Sequence, residues 1–410
     1  MPIFPRRTID DPALDAARLL SRMGLILLFI VSQVAPIIVG HTIYMLLPIG
    51  AVLLLLSASL APDPHRLREL MDLAVKPPVI AAGFFVAWTA LSLAWTPYSA
   101  GPAERFAKTS ATLALVAAAC GLLPERTKTS NLNLLPIGAA VAAVTLAAVT
   151  LYVAKSASSI LDLDISPRQR AGLGLALLVW PALGALAVRG RWYSAAALAV
   201  ATAVACYSSR APHVMAALAV GAVVFAISFG RALRVARIFA YAAAGVIFLA
   251  PLAAALVHLM WGGQTPALLK PLDVWGLIIA NDGARVLTGH GFGAAIYGIL
   301  GHYLYQATPR SLVFEVWYDL GILGAAALAA VAARAFIIVG RSRAALAPFL
   351  LAGLATGVAI SVLGPAAEQL WWLTLAGLDA IAFSLVMRGQ FRKRRPSLPI
   401  QWREAGEDAG

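Results

Sequence analysis

The sequence predicts an all-α integral membrane protein with about 12 transmembrane helices and one large helical loop between helices nine and ten. Three observations predict it. The 410 residues are 61% hydrophobic and only 12% charged, with a mean hydropathy of +0.83, whereas soluble domains carry about 25% charged residues. The apolar residues gather in blocks near the ~20 residues that a helix needs to cross a bilayer. Lys and Arg are rich in the connections on one face and sparse on the other, as the positive-inside rule requires.

In chain order the apolar blocks fall at about 23–39, 43–60, 78–95, 107–123, 134–153, 171–188, 193–207, 213–229, 238–257, 312–332, 345–363 and 370–387. The first is read as a retained helix, since no small-residue cleavage signal follows it. Trp88, Trp95, Trp180, Trp192, Trp371 and Trp372 sit near block ends, where interfacial aromatics concentrate. The organisation is a tail at 1–22, a polytopic membrane domain at 23–387 with its loop at 258–311, and a basic tail at 388–410.

An even number of spans puts both tails on one face. That face carries 23 of the 32 Lys and Arg residues, and the other carries 9. Both termini are therefore expected in the cytoplasm, with 258–311 in the periplasm, outside a bacterial inner membrane. The net charge of +13 then needs no nucleic acid: QFRKRRPSLP anchors the last span beside anionic lipid. No CxxC or HExxH occurs, so no metal and no cofactor are expected.

Within the loop, LTGHGFGAA (287–295) has the texture of a phosphate cradle. It lacks the Lys-Ser/Thr of a P-loop, and nucleotides are absent outside the membrane, so a bound phosphate would arrive on a lipid. Leu272, Trp275 and Ile279 recur at helical spacing before the turn, and Ile296, Leu300 and Tyr303 after it. They predict two amphipathic helices on the bilayer surface. The cations expected outside are Arg105, Lys108, Lys155, Arg168, Arg170, Arg210, Lys270, Arg285 and Arg310. Single ones can snorkel; nine against the positive-inside bias point to an anionic substrate, and guanidinium suits a pyrophosphate. Glu315 and Asp319, four apart at the start of span ten, would share one helix face. Acids inside a span default to function, although Glu315 could simply pair with Arg310 or another loop Arg. Asp162-Leu-Asp164 and Glu368 are weaker acidic features.

These motifs resemble the O-antigen ligase and polymerase superfamily of bacterial membrane glycosyltransferases, in a GT-C-like arrangement of helices. RAGLGLALLVWPALG, headed by Arg170, resembles the family's Arg-led sixth helix, Ser209-Arg210 its Ser-Arg pair, and LTGHGFG its glycine turn. Ser311, Gly321 and Gly324 keep a further family spacing, with Asp319 in a usually acidic place. Arg310 stands where the family has His, and the family's loop Arg before a Trp is replaced at best by Lys270, five before Trp275.

The resemblance implies an undecaprenyl-pyrophosphate-linked glycan as donor and lipid A-core, or a growing glycan, as acceptor. On this reading Arg210 and Arg310 hold the diphosphate, helped by Arg170, Lys270 and Arg285. Gly289, Gly291 and Gly293 let the backbone approach the substrate. His290, His302, Glu315 and Asp319 are the candidates to take the acceptor proton. Ligase-type transfer is the leading expectation and a polymerase the second. A lipid-linked-oligosaccharide flippase or other transporter is the reading from a different class; midplane charges, which such proteins use, are scarce in these spans.

Overall fold

The computed structural model describes residues 12–39, 42–60, 77–98, 101–123, 129–154, 167–262, 264–305, 307–364 and 370–389. Lys155, Asp162, Asp164, Glu368 and residues 1–11 and 390–410 of the tails lie outside the described residues. Every regular element among the described residues is helical.

Helices stand at all twelve expected positions. They are α1 (Pro12–Ile38), α2 (Ile43–Leu60), α3 (Pro77–Ser92), α4 (Gly101–Leu122) and α5 (Leu134–Ala154). Then follow α6 (Pro167–Ala187), α7 (Trp192–Ser208), α8 (Pro212–Ser228) and α9 (Ala232–Trp261). The loop contributes α10 (Lys270–Asn281), α11 (Arg285–Thr288) and α12 (Ala294–Leu300), before α13 (Leu312–Gly340), α14 (Ala347–Leu363) and α15 (Leu370–Met387). Six of them, α1, α2, α5, α6, α9 and α13, are long and apolar enough to cross a membrane, and α3, α7, α8, α14 and α15 are shorter apolar helices. The chain is a multi-pass membrane protein. Interior prolines at Pro36, Pro48, Pro181 and Pro251 fit that setting, where neighbouring helices satisfy the freed carbonyls.

The centre of the molecule is α6, which is buried from Arg170 to Ala187. Its Gly- and Ala-rich sequence lets α5, α7, α14 and α15 close on it, as small residues do between apolar helices. Trp180 on α6 donates its indole N–H to Thr356 Oγ1 on α14 at 2.9 Å.

Two elements differ from expectation. The loop helices fold onto the ends of α9 and α13: Trp275 of α10 meets Phe314 edge-on at 5.4 Å, and both are buried. The helix after the glycine turn stops at Leu300, short of Tyr303. His302 takes a left-handed φ of 59°, and the N–H groups of Tyr303 and Leu304 both donate to the Gly298 carbonyl.

The second difference lies inside α13. Gly321 has φ 63° and ψ −157°, a region that is essentially glycine-only, and it breaks the helix after its first nine residues. The short segment Leu312–Leu320 carries both Glu315 and Asp319.

Candidate functional site at the loop end of a membrane cavity

Breaking a helix strands backbone carbonyls, and a buried carbonyl must find a donor. The N–H of His290 donates to the Tyr318 carbonyl at 2.8 Å and that of Gly291 to the Asp319 carbonyl at 2.9 Å. The Trp88 indole donates to the Leu320 carbonyl at 2.9 Å. The imidazole of His290 stacks flat on Tyr318, with ring centroids 4.0 Å apart. The GHGFG turn is therefore the cap of the broken helix.

The remaining N–H groups of the turn are engaged as well. Those of Gly293 and Ala295 donate to the two carboxylate oxygens of Asp319, each at 2.7 Å. Phe292 N–H donates to Ser92 Oγ at 3.1 Å, and Gly289 N–H to the Arg285 carbonyl at 2.7 Å. All five backbone donors of residues 289–293 are thus used within the chain. The turn holds Asp319 in place.

One helical turn earlier, Glu315 meets Arg105 of α4, with Nη2 and Oε1 2.6 Å apart and both side chains largely buried. Sequence spacing offers Arg310 or another loop Arg as its partner; the fold brings Arg105, at the start of α4, to Glu315. The Arg105 guanidinium also lies over the Phe292 ring at 5.3 Å, a cation–π contact that ties the turn to α4.

Arg105, Phe292, Glu315 and Asp319 form one end of a cavity of about 570 Å³. Its walls are side chains of α3, α4, α6, α13, α14 and α15, among them Phe85, Leu113, Leu177, Leu328, Trp372 and Phe383. Apart from Arg105, Glu315 and Asp319, the one ionisable group on the wall among the described residues is Asp379, deep in α15.

The other sequence-predicted residues are dispersed. Arg170 is buried beside a separate small cavity with Gln33 and Trp371. Arg210 is exposed in the turn between α7 and α8, with φ 54°. Arg310 is half-buried just ahead of α13, and Arg285 and His302 are exposed on the loop. Lys270 lies 3.5 Å from Asp273 at the start of α10. Asp273 also accepts from Thr265 and lies 2.8 Å from His258 Nδ1 at the end of α9. These bonds, from Thr265 first and then His258, hold its carboxyl below the usual range. No group of three or more potential metal-ligating side chains occurs among the described residues.

Comparison with family models, with curated proteins and with solved structures returned no match.

Proposed function

We propose that this chain is a metal-independent membrane glycosyltransferase of O-antigen ligase type. It transfers a glycan from an undecaprenyl-pyrophosphate donor to an acceptor hydroxyl, such as one on lipid A-core, at the periplasmic face of the bacterial inner membrane. The observation that carries this reading is the Arg105–Glu315–Asp319 cluster at the loop end of an apolar cavity. A lipid-linked donor needs both parts side by side, with hydrocarbon below and fixed charge above.

The chemistry asks for two things. The acceptor oxygen attacks the sugar C1, and the C1–O bond to pyrophosphate breaks, leaving a diphosphate with an added negative charge. Arg105 is sited to stabilise that charge, and preorganised charge in a dry site is commonly the largest catalytic term. Glu315 takes the acceptor proton. Its protonation dissolves its ion pair with Arg105 and so frees the guanidinium as the diphosphate departs. Asp319, with two N–H donors on its carboxylate, positions the turn and Phe292. Arg310, immediately before the same helix, would meet the donor's outer phosphate.

The depth of the cavity and the acid at Asp379 favour a second reading, a lipid-linked-oligosaccharide transporter, for which a charge far from either helix end is a usual feature. One experiment separates the readings: a gel of surface and carrier-linked glycans from a strain lacking the gene. Long chains stranded on the carrier with bare lipid A-core at the surface support the ligase; core capped by a single repeat means a polymerase. Single units trapped on the cytoplasmic face mean a transporter, and an unchanged profile overturns all three. Complementation with Arg105→Ala or Arg310→Ala is expected to lower transfer by about 10²–10³, the usual cost of one oxyanion donor, at normal protein levels. Full activity of Arg105→Ala would remove it from the mechanism.

A further inference from the structure

Asp379 has no part in the transfer chemistry. It lies nine residues into α15, about 14 Å along the helix. Its side chain is 7% exposed, and its Oδ1 is buried with no hydrogen-bond partner among the described residues. It faces the cavity between Ala376 and Phe383 of its own helix, with Leu113 of α4 and Leu354 of α14 also on the wall.

The helices packed around α15 bring few other charges to it. α4 brings Arg105 at the loop end of the cavity and Cys120 against Ser384 and near Arg388 at the far end of α15, and across the cavity α13 brings Glu315 and Asp319 at the loop end. The buried Arg170 of α6 borders the other, smaller cavity. Neither α2 nor α14 contains Asp, Glu, His, Lys or Arg.

The walls decide the occupant. All six lining helices are largely apolar, so most of the cavity lies in the hydrocarbon layer, where the abundant solute is a lipid chain. α3 packs along α13 and barely touches α4, yet both line the cavity, which leaves a lateral gap between them. A carboxylate against such a chain would be stripped of water, and an isolated buried charge is neutralised in preference to being left bare.

We propose that the cavity takes the hydrocarbon chain of a membrane lipid and that Asp379 couples its entry to the uptake of one proton. On this proposal the ionised form of Asp379 exists only while cavity water reaches its carboxyl; as the chain displaces that water, a proton from bulk converts the carboxylate to the neutral acid. This inference stands on the cavity and does not depend on glycan transfer.

The test is binding of a fluorescent long-chain alcohol, whose headgroup does not titrate, to the purified full chain across pH 5–9. In the wild type, affinity is expected to fall about tenfold per pH unit above the midpoint, the slope of one linked proton. Asp379→Asn is expected to bind with a flat profile, at least as tightly as the wild type at low pH. Equal pH profiles in the two proteins, or no binding by the wild type, would overturn the proposal. So would a pH dependence that survives in Asp379→Asn and vanishes in Glu315→Gln. Should Asp379→Asn fail to fold, infrared difference spectra of the wild type decide: filling the cavity must raise a protonated-carboxyl band, and its absence is a refutation.

Discussion

Asp273 illustrates how much one side chain can anchor. Its carboxylate collects Thr265, His258 and Lys270 and so pins α10 to the end of α9. Because these partners lower its pKa from the ordinary 3.8, folding favours the ionised form. The stabilisation is therefore complete above about pH 4 and is lost as pH falls through the depressed folded value. Amide exchange over residues 264–281, corrected for its intrinsic pH dependence, is expected to accelerate only below that range. In Asp273→Asn exchange is expected to be fast at every pH; a wild-type profile in that variant would remove the anchor role. At this scale the sequence was partly legible. Glu315 and Asp319 stood out because acids in an apolar helix are costly, and i, i+4 spacing put them on one face. Arg105 carried no such signal for its role, since its partner lies 210 positions away and only the tertiary fold brings the two side chains together. Asp379 is a lone acid in an 18-residue apolar helix; that was the available signal, and rules that look for pairs or motifs pass over it.

At the scale of elements, the glycine turn and the broken helix make one unit. Neither is comprehensible alone: Gly321 strands carbonyls, and residues 288–293 supply the donors for two of them. Two left-handed glycines make the fit possible. Gly289 (φ 73°, ψ 174°) and Gly321 (φ 63°, ψ −157°) press backbone to backbone, so that a Cβ on Gly289 would strike the Asp319 carbonyl. Gly289→Ala is expected to destabilise the purified protein by about 1–3 kcal/mol, the range for such backbone strain, with a further loss from the clash. The control is Gly262→Ala, whose φ of 51° and ψ of 35° are ordinary left-handed values and whose Cβ would meet nothing within 4 Å. Thermal melting that ranks Gly262→Ala as the more damaging change would contradict this account. Sequence spacing located the turn, because glycine clusters are local signals. It could not reveal that the turn caps a helix break, because a single glycine in an apolar helix looks the same whether the helix bends or continues.

At the scale of the whole molecule, hydropathy placed a helix at every expected position, since each block of apolar residues is itself a local property. The number of crossings is a different matter. α7, α8 and α14 have 17 residues each, about 26 Å of helix against a hydrocarbon core of ~30 Å. Such a helix crosses only if neighbours and flanking cations draw the bilayer in, and small mismatches of this kind are accommodated at modest cost. The positive-inside rule predicts that they cross. Arg210 lies between α7 and α8, while Arg231, Arg234 and Arg237 follow α8 and add to the cation-rich face. If α8 lay flat, these four arginines would share one side and the bias between the faces would weaken. Single cysteines at Arg210 and Arg231, both exposed in turns, put this to the test after replacing Cys120 and Cys206. A membrane-impermeant maleimide applied to spheroplasts is expected to label Arg210→Cys and Gln264→Cys but not Arg231→Cys, nor Thr8→Cys and Ser397→Cys in the tails. Equal labelling of Arg210→Cys and Arg231→Cys would mean that α8 does not cross. The parity of the helices after it would then change, moving the Arg105–Glu315 cluster or one of the two tails to the wrong face for a periplasmic glycan transferase.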